Sequence, residues 1–134
     1  RSGRTVAGRF QTKGFGMSAY FIFDNIKVHN QEAIDRYIRE APATVAAFGG
    51  KYRAIFGQTL VVEGDPNGDW KPKLPVIIEF PSFEKAKAWY FSDMYRPLKE
   101  LRTGAQDSTG VLIEGLPPMP WFVKLFGRFM KPRY

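Results

Sequence analysis

The chain has 134 residues, 44% hydrophobic and 25% charged, the size and balance of one globular domain that can bury a core without metal or disulfide support. It has no cysteine and one histidine, which excludes disulfides, thiolate chemistry and, within one chain, cysteine-based or multi-histidine metal sites. The net charge of +7 is concentrated at the ends: residues 1–16 and 117–134 carry only basic charges, while residues 17–116 hold 12 basic against 13 acidic groups. A near-neutral body argues against nucleic-acid binding. No apolar run approaches the roughly 20 residues that span a bilayer, and no signal-peptide core is present, so a cytoplasmic location is expected.

Residues 1–16 show neither helical nor strand periodicity and precede Met17-Ser18. They read as a vector-derived or disordered arm, with a native basic arm as the alternative. Ala19 to Val28 is rich in aromatic and β-branched residues and reads as a strand. Asn30 is placed to cap a helix whose apolar stripe is Ile34, Tyr37, Ile38, Ala41, Val45 and Phe48, ended by Gly49-Gly50. Pro42 lacks an amide hydrogen and is expected to kink or split that helix near Ala41. Lys51 to Glu63 reads as extended chain broken by a bulge or bend at Gly57. Residues 64–69 are dense in turn formers and form a surface loop. Val76 to Phe80 is the next strand, and Ser82 caps a helix from Phe83 to Phe91. A second helix restarts at Ser92-Asp93 with stripe Met94, Leu98, Leu101 and Ala105, Pro97 being tolerated near its first turn. Thr109 to Glu114 is the last strand.

The order is βαββαβ, an α+β ferredoxin-like plait spanning residues 17–116. In Val76–Phe80, Ile77 and Glu79 oppose Val76, Ile78 and Phe80. Apolar residues on both faces call for a cover on the side of the sheet away from the helices, and a second copy of the chain is the simplest one.

The run Ile78-Glu79-Phe80-Pro81-Ser82-Phe83-Glu84, then Ala88-Trp89-Tyr90, Tyr95, Arg102 and Val111 to Gly115, with Gly49-Gly50-Lys51 and Glu63-Gly64, resembles the family of domain of unknown function 1330. The resemblance covers about residues 19–116. It implies membership of the dimeric α+β barrel superfamily, whose subunits pair sheet to sheet. Superfamily relatives include cofactor-free monooxygenases, muconolactone isomerases and haem-binding peroxidases, so the likeness fixes no reaction.

Few residues stand out as chemistry. His29 sits where the first strand turns and reads as a surface histidine, although a haem ligand remains formally open. Asp24, Glu79 and Glu114 lie on strands that neighbour one another. A carboxylate facing a closed cavity has a raised pKa and serves as a general acid or base; the alternative is solvent or a pair with Arg53, Arg96 or Arg102. Trp89, Tyr90 and Tyr95 cluster at the helix break beside Asp93 and Arg96, as core or as the wall of a pocket for a flat or acidic small molecule. Gly49-Gly50-Lys51 is not a phosphate loop, since its glycines close a helix and Tyr52 follows the lysine. Gly14-Phe15-Gly16 precedes a strand and is no dinucleotide motif. In residues 117–134, Phe122, Leu125, Phe126 and Phe129 share one helical face and Lys124, Arg128 and Lys131 another, which fits docking on the protein itself or contact with a membrane surface.

These signals point to a homodimeric small-molecule-binding protein, with no cofactor motif and possible cofactor-free proton transfer or oxygenation. The expected site joins Glu79 as the proton-moving carboxylate to Tyr20, Tyr37, Tyr95 and Arg96 as binding residues, Arg96 orienting a ligand carboxylate. The rival is a non-catalytic interaction module that uses its C-terminal tail on a membrane or protein partner.

Overall fold

Alternation of Ala19, Phe21 and Phe23 with Tyr20, Ile22 and Asp24 gives the first strand one fully buried face and one half-buried face, which suits a central strand. In the computed structural model, which describes residues 17–65, 67–68, 72–117 and 127, this strand, β1 (Ala19–Val28), is indeed internal. The other elements are α1 (Gln31–Ala47), β2 (Lys51–Ile55), β3 (Pro75–Phe80), α2 (Phe83–Tyr90), α3 (Arg96–Ala105) and β4 (Gln106–Glu114). The four strands form one antiparallel sheet in the order β2-β3-β1-β4, the ferredoxin-like plait. The tail expected as an amphipathic helix and the arm 1–16 lie outside the described residues, Gly127 apart.

Local chemistry sets the helix ends. The Asn30 side chain accepts from Ala33 N at 3.1 Å, and Ser82 Oγ accepts from Lys85 N at 3.0 Å, each satisfying a free first-turn amide. Gly49 takes φ +81° to close α1, the left-handed conformation glycine adopts without strain. Gly50 is held to glycine by packing: a Cβ there would lie 2.6 Å from a Val45 methyl and 2.7 Å from the Phe80 ring.

Four expectations are corrected. Helix α1 runs through Pro42 without a break; the proline leaves only the Ile38 carbonyl without its helical donor, a cost that packing of the buried Ala41, Thr44 and Val45 outweighs. Strand β2 ends at Ile55, because Phe56 turns to φ +53°, and residues 57–62 are not strand; the bulge falls at Arg53, not Gly57. The second helix of the pair begins at Arg96, so its buried stripe is Leu98, Arg102 and Ala105. Met94 is exposed, and Tyr95 is fully buried in its place. Strand β4 begins at Gln106, three residues before the expected Thr109.

The core lies between the helices and the inner face of the sheet. Trp89 is fully buried, its ring 4.1 Å from Tyr95, 5.3 Å from Phe80 and 5.4 Å from Phe21, centroid to centroid. Its indole Nε1 donates to Thr44 Oγ1 at 3.0 Å, which ties α2 to α1. Trp89→Ala would remove the ring and the donor to Thr44 Oγ1, whose own proton goes to the Ala41 carbonyl at 2.7 Å. Urea unfolding should show a loss of about 3–5 kcal/mol; a loss below about 1 kcal/mol would contradict a central packing role.

Candidate functional site

Between α1 and the inner face of the sheet lies a cavity of about 170 Å³, walled by Phe23, Ile34, Ile38, Tyr52, Ile55 and Val76. Its position follows from the elements around it. The stripe of α1 turns Ile34, Tyr37, Ile38 and Ala41 toward the sheet, while Phe23, Tyr52, Val76 and Ile78 rise from three neighbouring strands. Half-exposed Ile38, Ile55 and Phe56 lie on the solvent side.

The polar groups of this cavity are few and buried. Arg102 comes from the buried stripe of α3 and is 5% exposed. Its Nε donates to the Tyr95 hydroxyl at 3.3 Å, and its Nη1 donates to Ser108 Oγ at 2.8 Å. The guanidinium carbon stands 5.1 Å from the Phe23 ring and 5.8 Å from the Tyr37 ring, close enough for cation–π attraction. The Tyr37 and Tyr95 hydroxyls lie 2.6 Å apart. Beside them Gln106 Nε2 donates to Asn25 Oδ1 at 2.6 Å, and Asn25 Nδ2 donates to the Leu74 carbonyl at 3.2 Å. Arg102 also borders a second hollow on its far side, lined by Lys87, Tyr90, Ser108 and Thr109.

The protonation states follow from burial and neighbours. Burial, then the adjacent Tyr95, pushes the Tyr37 hydroxyl far above its ordinary value, although Arg102 pulls the other way. Burial, with Tyr95 adding to it, pushes Tyr52 up to about 12. Both are therefore neutral O–H groups at physiological pH. Burial works against the charge on Arg102, but the oxygens of Tyr95 and Tyr37 outweigh it and hold the guanidinium above its ordinary value. The site is thus a permanent buried cation flanked by neutral hydroxyls. Among the described residues no three or more His, Asp or Glu side chains gather to hold a metal ion.

The five residues expected to form one site are split over three places. Tyr37 and Tyr95 are together, with Tyr37 lining the cavity. Tyr20 and Glu79 are paired neighbours on β1 and β3 but project from the opposite face of the sheet. Strand alternation forces this, because Ile78 and Phe80 occupy the inner face. Glu79 accepts from Arg53 Nε at 2.7 Å. Hydrogen bonding from Ser18, then from Arg53, holds its carboxyl below the ordinary value, where a raised one was expected. Arg96 is exposed at the start of α3 and pairs with Asp93 at 2.7 Å. His29 is exposed and lies 3.0 Å from Asp107, while Asp24 Oδ1 accepts from the amides of Lys73 and Leu74. Arg102, Tyr52, Asn25 and Gln106 take the places the sequence reading gave to Arg96 and Glu79. Arg102 could have been found by its spacing: it stands four residues after Leu98 and three before Ala105 on the buried stripe.

The outer face of the sheet carries a second feature. Ile22 pairs with both Ile77 and Val111, and Ile77 with Ala54. Next to that row Ile113 pairs with Tyr20. Val111 and Ile113 are 60% and 50% exposed. The result is a contiguous apolar strip across all four strands with no helix over it among the described residues.

A family model described as Domain of unknown function (DUF1330) matches residues 18–116. A protein of unknown function from Rhodopseudomonas palustris has a similar solved structure, with 20% identity and a TM-score of 0.60 over 88% of this chain and 97% of the other. A dimeric ferredoxin-like protein of unknown function from Thermobifida fusca is similar with 12% identity and a TM-score of 0.50, over 74% and 92% of the two chains. No match was found among curated proteins. No described helix is long and apolar enough to cross a membrane.

The lowered carboxyl of Glu79 makes a pH prediction. A depressed folded-state pKa adds stability that is present above the unfolded value near 4.5 and is lost as pH falls through the folded value. Glu79→Gln should therefore melt at a lower temperature than the parent at pH 7, with the gap closing as the pH drops below about 4. A gap that persists undiminished in acid would show that the ion pair is not its source.

Proposed function

The chain belongs to the family of domain of unknown function 1330, and from that membership and the geometry above we propose a homodimer in which each subunit holds one small molecule in the cavity beneath α1. The observation that carries the reading is the cavity itself, with apolar walls and a small set of buried polar groups at one end. That combination is typical of small-molecule sites. At about 170 Å³ it compares with apolar cavities of about 150 Å³ that take a benzene-sized guest, so the body of the ligand is about one ring or a short branched chain. Any turnover would be proton transfer without a cofactor, with the neutral Tyr37 hydroxyl as a hydrogen-bond donor to the ligand and not as its acid.

The dimer reading rests on the apolar strip of the outer sheet face. A second copy laid on it would cover Ile22, Ile77, Val111 and Ile113 by the same residues, as a two-fold interface requires. Lys51 and the Arg53–Glu79 pair would lie toward its β2 edge. The ferredoxin-like neighbour from Thermobifida fusca is described as dimeric, which supports pairing of two copies.

Two measurements test these readings. Light scattering at micromolar concentration should give about 30 kDa, twice the 15.3 kDa chain, and Val111→Glu with Ile113→Glu should halve it. A parent chain that stays monomeric would remove the dimer. In a thermal-shift screen of single-ring compounds, hits should raise the melting temperature of the parent, since they bind only the native state. Ile38→Trp, at the rim of the cavity, should abolish that rise; hits unaffected by it bind elsewhere.

A further inference from the structure

We infer that the molecule held in this cavity is a monocarboxylate, with its oxygens on Arg102 Nη2 and the Tyr37 hydroxyl. This rests on the ligand-pocket reading above and adds the charge and orientation of the ligand. A guanidinium has five N–H donors and no acceptor. In Arg102, Nε and Nη1 are used by Tyr95 and Ser108, while Nη2 makes no hydrogen bond to a described residue. Ion pairs among the described residues involve His29, Arg36, Arg53, Lys87 and Arg96, and none reaches Arg102. Among the described residues, this cation, 95% buried, meets ring faces and neutral oxygens and no carboxylate. Buried charges are ordinarily paired, because desolvation is otherwise uncompensated. The cavity that Arg102 borders is where a counter-charge can enter.

The hydroxyl pair points the same way. Tyr95 already accepts from Arg102 Nε. When Tyr95 donates its own proton across the 2.6 Å contact, the Tyr37 O–H is left to donate into the cavity that Tyr37 lines. A guanidinium N–H and a phenol O–H then face one entering group, and two donors with a positive charge select a carboxylate over a neutral polar group. The neighbouring amides are neutral, and Gln106 Nε2 and Asn25 Nδ2 each already give one of their two N–H donors to Asn25 Oδ1 and the Leu74 carbonyl.

The test is an amide-detected NMR titration of the full chain at pH 7 with benzoate and with its neutral analogue benzyl alcohol. Benzoate should bind at least tenfold more tightly, shifting the amides of Ile34, Ile38 and Ile55 and the Arg102 Nε–H resonance. In Arg102→Met the advantage of benzoate should vanish while benzyl alcohol still binds. Equal affinity of the two compounds for the parent chain would overturn the carboxylate inference and leave the pocket standing. Shifts confined to Lys87 and Thr109 would place the anion in the hollow behind Arg102 and also overturn it. If neither compound perturbs the cavity amides at millimolar concentration, the pocket reading falls and takes this inference with it. Should Arg102→Met fail to fold, the parent's preference for benzoate and the Arg102 Nε–H shift decide the matter.

Discussion

One buried guanidinium organises the space between the helices and the sheet. Arg102 leaves α3, passes the Tyr95 hydroxyl at the start of that helix, lies against Phe23 of β1 and Tyr37 of α1, and ends on Ser108 of β4. Four elements converge on it. An arginine in such a place is costly, because desolvation of an ion is repaid only by a partner of opposite charge or by a full set of acceptors. Among the described residues its partners are two neutral hydroxyls and two ring faces, with no carboxylate. The cavity beside it is the complement of that deficit.

The two faces of the sheet divide the molecule's tasks. The inner face carries Phe21, Phe23, Ile78 and Phe80, which build the core with Trp89 and Tyr95. It also frames the cavity. The outer face carries Tyr20, Ile22, Ile77, Val111 and Ile113, largely apolar and without a helix over it among the described residues. Charged residues on that side are used locally, Glu79 by Arg53 and Asp24 by the backbone of Lys73 and Leu74. An acid held in an ion pair with its proton affinity lowered is poorly suited to take part in proton transfer at neutral pH. The buried polar groups on the inner side are the tyrosines, Arg102, Asn25 and Gln106.

Much of this architecture was legible in the residues. The alternation of β1, the caps at Asn30 and Ser82, and the glycine stop after α1 are local signals, and each acts within a few residues of where it is read. The failures were tertiary. Pro42 argued for a kink or split, yet α1 is not split there, with Ala41, Thr44 and Val45 buried around it. Residues 51–63 had strand composition throughout, but pairing with β3 is lost once Phe56 turns away. Tyr37, on the expected stripe of α1, meets Tyr95, which is buried where Met94 was expected, and their hydroxyls are 2.6 Å apart. Glu79 was misplaced although the alternation of β3 already set it opposite Ile78. Arg96 and Arg102 are both arginines of one helix, and only helical phase separates the exposed one from the buried one. Asn25 and Gln106 come from opposite ends of the chain, so no local pattern joins them.

A guanidinium kept for a ligand differs in energy from one kept as a brace. A buried charge without a counter-ion gains the fold little, so an apolar residue of similar reach should replace it at small cost. Urea unfolding of Arg102→Met, without any added carboxylate, is the direct test. The result expected is a stability within about 1 kcal/mol of the parent. A loss of about 3–5 kcal/mol, the size seen when a buried ionic contact that holds a fold is broken, would contradict this account by showing that the hydrogen bonds and ring contacts of Arg102 brace the fold by themselves.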